Sequence, residues 1–141
     1  MREHLVNLAL KLVGCPYIWG GANPWTGFDC SGFVVWVYQV FGLLPSGDWT
    51  AQGLFDHFTV GAEDSPEKAL PGDLAVYGMG GKEVTHVMLF VNNELVVGAS
   101  GGDHRCLTAE DARRRGAQVK VKPKAYRRDY LGRVFVSALG K

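Results

Sequence analysis

The sequence predicts an α+β protein with a mostly antiparallel sheet, and three observations lead to this class. Segments with helical spacing of apolar residues occupy the first 57 residues, and short alternating segments typical of strands follow from residue 73 onward. Helices first and strands afterwards favour an α+β arrangement over repeated βα units. A length of 141 residues, with no repeat or linker-like stretch, predicts a single domain over residues 1–141.

The helical half contains three predicted helices. Leucines at helical spacing predict an amphipathic helix over about 2–13. The segment 31–41 is apolar nearly all round, and a helix without a polar face belongs in the core. A loop over 22–28 should separate these two helices, because it contains Asn-Pro and Gly. Thr50 is suited to cap a short third helix over 51–57.

The strand half contains five predicted strands. Three of them, at 73–77, 84–91 and 95–100, follow one another closely and should form an antiparallel set. Two further strands, at 119–121 and 134–136, should close the sheet.

A hairpin turn at Asn92 and Asn93 decides which residue faces His86 in the middle strand. A two-residue turn places Ala99 opposite His86. A three-residue loop places Ser100 opposite instead and leaves Gly98 on the same face. In either register the facing strand supplies no imidazole.

The charge is close to balanced overall but unevenly distributed. From Arg105 onward the chain carries eleven lysines and arginines against three acidic residues, so the first 104 residues are acidic. A basic surface can meet an anionic polymer, but a solvated face is the favoured interpretation, and we expect no nucleic-acid partner. Within this region Thr108 and Asp111 predict a capped helix over 108–115.

The N-terminus shows no signal-peptide pattern, and no apolar stretch reaches the roughly 20 residues that span a bilayer. We therefore expect synthesis in the cytoplasm and no membrane partner. The three cysteines are an odd number, lie far apart and form no Cys-x-x-Cys motif, so we expect neither a disulfide framework nor a metal site. A bridge between Cys15 and Cys30 is the less favoured alternative, and it would remove the candidate nucleophile.

Cys30 and His86 are the candidate catalytic pair. Cys30 lies where a loop becomes a helix, and a helix N-terminus is expected to lower the pKa of a thiol. The N–H groups of Ser31 and Gly32 are expected to be free there and to suit an oxyanion. A histidine from a separate strand can take the thiol proton. The residues alone leave open a structural cysteine and a half-buried strand histidine.

Four motifs resemble, in order and spacing, those of the NlpC/P60 cell-wall peptidases. They are GCPYIWGG at 14–21, GFDCSGF at 27–33, PGDL at 71–74 and THV at 85–87. The resemblance implies a papain-like α+β fold with N-terminal helices and the nucleophile at the start of the core helix. It also implies a cysteine endopeptidase that cleaves peptidoglycan stem peptides, often between D-glutamyl and diamino-acid residues, without a cofactor.

The resemblance assigns roles to residues by position. Cys30 is the nucleophile and His86 the general base. Tyr17 lies where the family has a tyrosine beside the nucleophile, available to the reacting carbonyl. Asp29 and Ser31 flank the thiol, and Asp29 is expected to be structural.

One position departs from the family pattern. Relatives usually carry a third polar residue, commonly histidine, where this chain has Gly98, so no side chain there can orient His86. Ser100, Asp103 or His104 could substitute, with the last two favoured because they reach further, and a bound water is a further alternative. A histidine restored at position 98 is expected to raise activity or leave it unchanged.

The remaining expectations concern the substrate groove and the biological setting. Trp25, in the loop before the nucleophile, is expected to line the groove. Segments 98–102 and 126–132 resemble a compact phage- or prophage-encoded branch, which implies carriage with a phage particle, commonly at the tail, or release by lysis. Two alternatives remain open: a catalytically weakened wall-binding or tail module, and an amidase or acyltransferase of the same fold.

Overall fold

The computed structural model describes residues 1–60 and 66–140, and this part of the chain contains four α-helices and seven strands. The helices are α1 (Arg2–Lys11), α2 (Cys30–Val40), α3 (Ala51–Thr59) and α4 (Ala109–Arg115). The strands are β1 (Ala22–Asn23), β2 (Gly27–Phe28), β3 (Leu74–Tyr77), β4 (His86–Phe90), β5 (Leu95–Ser100), β6 (Gln118–Pro123) and β7 (Tyr130–Val134). Among these helices, none is long and apolar enough to cross a membrane.

Five strands form one antiparallel sheet in the order β6-β5-β4-β3-β7. The apolar helix α2 packs against it, and side chains such as Phe33, Val34 and Tyr38 are fully buried in the resulting core. A second, smaller cluster includes Tyr77 and Met88 together with other buried side chains and two partly buried tyrosines. The predicted α+β class is confirmed.

The hairpin loop contains three residues, 92–94, enclosed by Val91 and Leu95, because the Val91 N–H donates to the Leu95 carbonyl at 2.8 Å. Leu89 pairs with Val97 in the same ladder. Extending this register places Ser100 across from His86. The second of the two hairpin registers is therefore the one the chain adopts.

Other element boundaries differ modestly from those predicted. The loop over 22–28 contains the two-residue pair β1 and β2, and the Thr108 capping box of α4 forms as expected. The last strand lies at Tyr130–Val134 rather than at 134–136. Its ladder ends there because the chain turns to Asp73, whose Oδ1 accepts from the Val136 N–H at 3.1 Å.

Asp73, at the centre of the fold, binds residues near both ends of the chain. Its carboxylate is fully buried and contacts Arg2 at 2.9 Å and Arg133 at 3.4 Å. It also accepts hydrogen bonds from the backbone N–H groups of Leu70 and Val136. A buried charge needs such partners, and this network explains the acidic residue in the PGDL segment.

Candidate active site

The N-terminus of α2 forms one wall of the site, and Asp29 caps it. Asp29 Oδ1 accepts from the Gly32 N–H at 2.7 Å and from the Ser31 hydroxyl at 3.4 Å. Asp29 Oδ2 accepts from the Gly20 N–H at 3.1 Å. Asp29 thus has a structural position, and the Gly32 N–H, expected to be free, is already occupied. The Cys30 N–H has no acceptor among residues 1–60 and 66–140.

Gly32 lets the preceding loop lie directly on this helix end. A Cβ atom at position 32 would collide with the carbonyl oxygen of Gly21. The same carbonyl accepts from the Asp29 N–H at 3.0 Å. The glycines of the sequence motif are therefore needed for close backbone contact around Cys30.

Cys30 is the first residue of α2 and its thiol is partly buried against the start of β4. Its Sγ lies 4.0 Å from the Thr85 carbonyl oxygen. Burial raises the pKa of the Cys30 thiol, and the negative charge of Asp29 raises it further, while the Val87 and Ser31 N–H groups lower it. The helix end does lower the pKa of this thiol, through the Ser31 N–H, but burial outweighs it and the net shift is upward.

His86, the first residue of β4, is buried with 5% of its surface exposed. Burial lowers the pKa of His86 to about 3, and the Arg127 charge adds to this shift. His86 Nε2 lies 3.0 Å from the Tyr126 hydroxyl. The Tyr126 hydroxyl in turn lies 2.8 Å from Ser100 Oγ. Both shifts favour the neutral forms, a thiol at Cys30 and an imidazole at His86, and the Thr85 carbonyl that contacts the thiol belongs to the residue just before His86.

An open cavity of about 450 Å³ lies over Cys30. Its walls include Tyr17, Trp19, Asp48 and Trp49. Tyr17 is largely buried, and burial raises the pKa of its hydroxyl, which therefore stays protonated and can donate a hydrogen bond. A peptide in this cavity would lie beside the thiol.

Comparison with known proteins identifies the family. The sequence profile of the NlpC/P60 family matches residues 14–125, which is most of the chain. The chain belongs to the NlpC/P60 family. The structure agrees: the NlpC/p60 domain of peptidoglycan hydrolase SagA superimposes with a TM-score of 0.60 and 31% identity, covering 87% of this chain and 89% of that one. The fold is therefore papain-like, as the resemblance implied.

Two curated relatives share this NlpC/P60 region. The bifunctional muramidase/DL-endopeptidase CwlT of Bacillus subtilis is 43% identical over 94 residues, which cover 64% of this chain and 27% of CwlT. The peptidoglycan endopeptidase RipB of Mycobacterium tuberculosis is 35% identical over 115 residues, covering 70% of this chain and 43% of RipB. This chain therefore spans about a quarter of the length of CwlT and less than half of the length of RipB.

Three residues expected at the NlpC/P60 site do not make the contacts predicted for them. Trp25 is 85% exposed and is not among the residues that line the cavity, so its place in the substrate groove stays a prediction. Asp103 is held by Arg115 through two hydrogen bonds, at 2.6 and 3.0 Å. His104 packs edge-on against Trp19 at 6.1 Å. Neither Asp103 nor His104 hydrogen-bonds to the histidine of β4, so neither orients it.

Sequence reasoning missed two contributors to this site. Tyr126, which contacts His86, comes from the segment after β6, forty residues along the chain, and no local pattern connects the two. Gln52 accepts the Val84 N–H at 2.7 Å and so fixes α3 to the segment leading into β4. In the described part of the chain, no three His, Cys, Asp or Glu side chains cluster to hold a metal ion.

Proposed function

We propose that this chain is a cysteine endopeptidase acting on peptidoglycan stem peptides, at the bond between a D-glutamyl residue and a diamino acid. The observation that carries the proposal is the position of Cys30, at the N-terminus of a buried helix, beside the strand that begins with His86 and facing an open cavity. The names of CwlT, a DL-endopeptidase, and RipB, a peptidoglycan endopeptidase, support the substrate class.

In the acylation step His86 removes the proton from Cys30 as the sulfur attacks the carbonyl carbon of the scissile amide. Nδ1 is the ring nitrogen available for this transfer, because Nε2 is engaged by Tyr126. The resulting imidazolium protonates the leaving amine as the C–N bond breaks, which leaves a thioester on Sγ. Water, deprotonated by His86, then attacks the thioester and releases the acid product and the free thiol.

Two donors beside the thiol support stabilisation of the oxyanion that forms in each step. The Cys30 N–H lies at the helix end and is unused by any acceptor within residues 1–60 and 66–140. The Tyr17 hydroxyl is protonated and lines the same cavity. Fixed donors aimed at developing negative charge are a major source of rate acceleration in acyl transfer.

The cavity walls favour a peptide that carries an amino group. Trp19 and Trp49 offer apolar surface, and Asp48 offers a carboxylate, whereas no lysine or arginine belongs to the cavity lining among the described residues. Opposite charges attract across a partly desolvated cavity. This arrangement supports a substrate with a free ammonium group, as a diamino acid has.

We also propose delivery by a phage particle or release by lysis, with tail proteins as partners. The support for this setting is the resemblance of segments 98–102 and 126–132 to a phage-encoded branch. Co-purification of the chain with tail structures of induced particles would test it, and recovery of all of the chain outside the particle fraction would contradict tail association.

A panel of synthetic stem peptides tests the proposed bond directly. The expected result is release of a fragment beginning with the diamino acid from a peptide containing the D-glutamyl–diamino acid bond, identified by mass spectrometry. Peptides in which this bond is methylated at nitrogen are the matched controls and should remain intact. Cleavage of every peptide at another amide would indicate an amidase, and transfer of the acyl group to an added amine without hydrolysis would indicate an acyltransferase. Binding without any cleavage would indicate a wall-binding module.

A further inference from the structure

The Tyr126 side chain reaches His86 at the part of the sheet that contains Gly98 and Met88. The Tyr126 hydroxyl lies 3.0 Å from His86 Nε2, 2.8 Å from Ser100 Oγ and 3.9 Å from Met88 Sδ. A Cβ atom at position 98 would lie 2.6 Å from the same Met88 Sδ. Position 98 therefore carries no side chain next to His86, and the polar group that contacts His86 is the Tyr126 hydroxyl, from another part of the chain.

We propose that Tyr126 is the positioning residue of His86 and that Ser100 completes its hydrogen-bond chain. The proposal rests on the proposed function for the roles of Cys30 and His86. It assigns the orienting task, for which position 98 has no side chain, to a phenol that comes from the segment between β6 and β7.

The hydrogen-bond chain selects the tautomer that the reaction needs. For Nδ1 to accept the Cys30 proton, Nε2 must carry its own hydrogen and donate it to the Tyr126 oxygen. The Tyr126 hydroxyl hydrogen is then directed to Ser100 Oγ, which has no other hydrogen bond from its side chain among the described residues. When the imidazolium forms, Nε2–H keeps the same acceptor, so no rearrangement accompanies proton transfer.

Tyr126 is itself held in place. Its N–H donates to the Pro123 carbonyl at 3.0 Å. Two residues before it, the Lys124 carbonyl accepts the Tyr77 hydroxyl at 2.7 Å. The Tyr77 and Tyr126 rings pack edge-to-face at 5.8 Å. A group fixed by such contacts can fix the residue that it bonds to in turn.

The acidic groups near the site are committed to other partners. The Asp129 carboxylate, whose charge acts on His86, accepts two hydrogen bonds from Arg127, at 2.9 and 2.8 Å. The Asp103 carboxylate is engaged by Arg115 in the same bidentate manner. Neither carboxylate hydrogen-bonds to the histidine, which leaves the phenol as its orienting partner within residues 1–60 and 66–140.

Tyr126→Phe tests the proposal kinetically, since it removes the hydroxyl and keeps the ring. The expected result is a fall in kcat of about 10- to 100-fold with little change in KM, the range typical when a group that orients a reacting residue is lost. Tyr130→Phe is the matched control, because Tyr130 lies in the same aromatic cluster and no hydrogen bond from its hydroxyl joins it to His86. Circular dichroism at the assay temperature verifies that both variants are folded.

Nitrogen NMR of ¹⁵N-histidine-labelled protein gives a readout that does not depend on hydrolysis. The chain has four histidines, so the His86 ring signals can be assigned with a His86→Gln variant. In the wild type we expect Nε2 to be protonated and Nδ1 to be unprotonated, and in Tyr126→Phe we expect this tautomer preference to be lost.

An unchanged tautomer together with an unchanged kcat in Tyr126→Phe would overturn the positioning role. A wild-type protein that cleaves no stem peptide, yet loses its tautomer preference on Tyr126→Phe, would refute the proposed function and leave the positioning role intact. The two failures are therefore distinguishable.

Discussion

Restoring the family's histidine by Gly98→His should damage this protein, which reverses the expectation drawn from the sequence. The new Cβ would lie 2.6 Å from Met88 Sδ, which must therefore shift, and 3.4 Å from Met88 Cα, so the rest of a histidine side chain has to fit beside a displaced Met88. The imidazole would also compete for the space in which the Tyr126 hydroxyl contacts Met88 Sδ. Overpacking of this kind costs about 1–3 kcal/mol.

Thermal unfolding and steady-state kinetics measure the two consequences of Gly98→His. Each kcal/mol should lower Tm by about 3–5 °C in a chain of this size, and kcat should fall about 10-fold or more as Tyr126 is displaced from His86. Gly98→Ala is the matched control, because its Cβ displaces only the flexible end of Met88 and adds no imidazole near Tyr126, so it should retain most of the activity. A Gly98→His variant that equals the wild type in Tm and exceeds it in kcat would refute the packing argument.

Three further predictions concern stability, pH and substrate binding. Asp73→Ala should lower the free energy of unfolding by about 3–5 kcal/mol, because it leaves Arg2 and Arg133 without their carboxylate partner at a fully buried position. A loss below about 1 kcal/mol in urea titrations would contradict this. The pKa of His86 is lowered to about 3 in the fold. As the pH falls below 6.5, His86 therefore becomes protonated in the unfolded chain while it stays neutral in the folded one. Stability should then decrease by about 1.4 kcal/mol per pH unit, or roughly 2 kcal/mol between pH 6.5 and 5, and His86→Gln should remove this component of the urea-monitored decrease. Trp49→Ala should raise KM several-fold because Trp49 lines the cavity, whereas Trp25→Ala, outside it, should leave KM unchanged; equal effects would disprove the placement of the groove.

The sequence predicted the helix–strand order and most element positions, because each depends on local information. The apolar run that became α2, the alternating residues of β5 and the Thr108 cap all reflect short-range periodicity or capping chemistry. The loop length of the β4–β5 hairpin was left open, since Asn92 and Asn93 are compatible with either register.

The parts of the site that the sequence did not predict depend on tertiary contacts. Tyr126 reaches His86 only because the segment after β6 returns across the sheet, and no spacing rule connects residues forty positions apart. The pKa of Cys30 is raised rather than lowered as expected, because burial against β4 outweighs the effect of the helix end. The exposure of Trp25 follows from the β1–β2 turn, whose formation the Asn-Pro loop signal did not reveal.

Digestion of purified sacculi by wild type, Cys30→Ala and Cys15→Ala tests the central claim most directly. Cys15 is a second partly buried free cysteine outside the cavity lining, so its variant controls for loss of a thiol elsewhere. The account predicts the same new muropeptides, detected by mass spectrometry, from wild type and Cys15→Ala, and none from Cys30→Ala. Muropeptide release by Cys30→Ala at the wild-type rate would contradict the account.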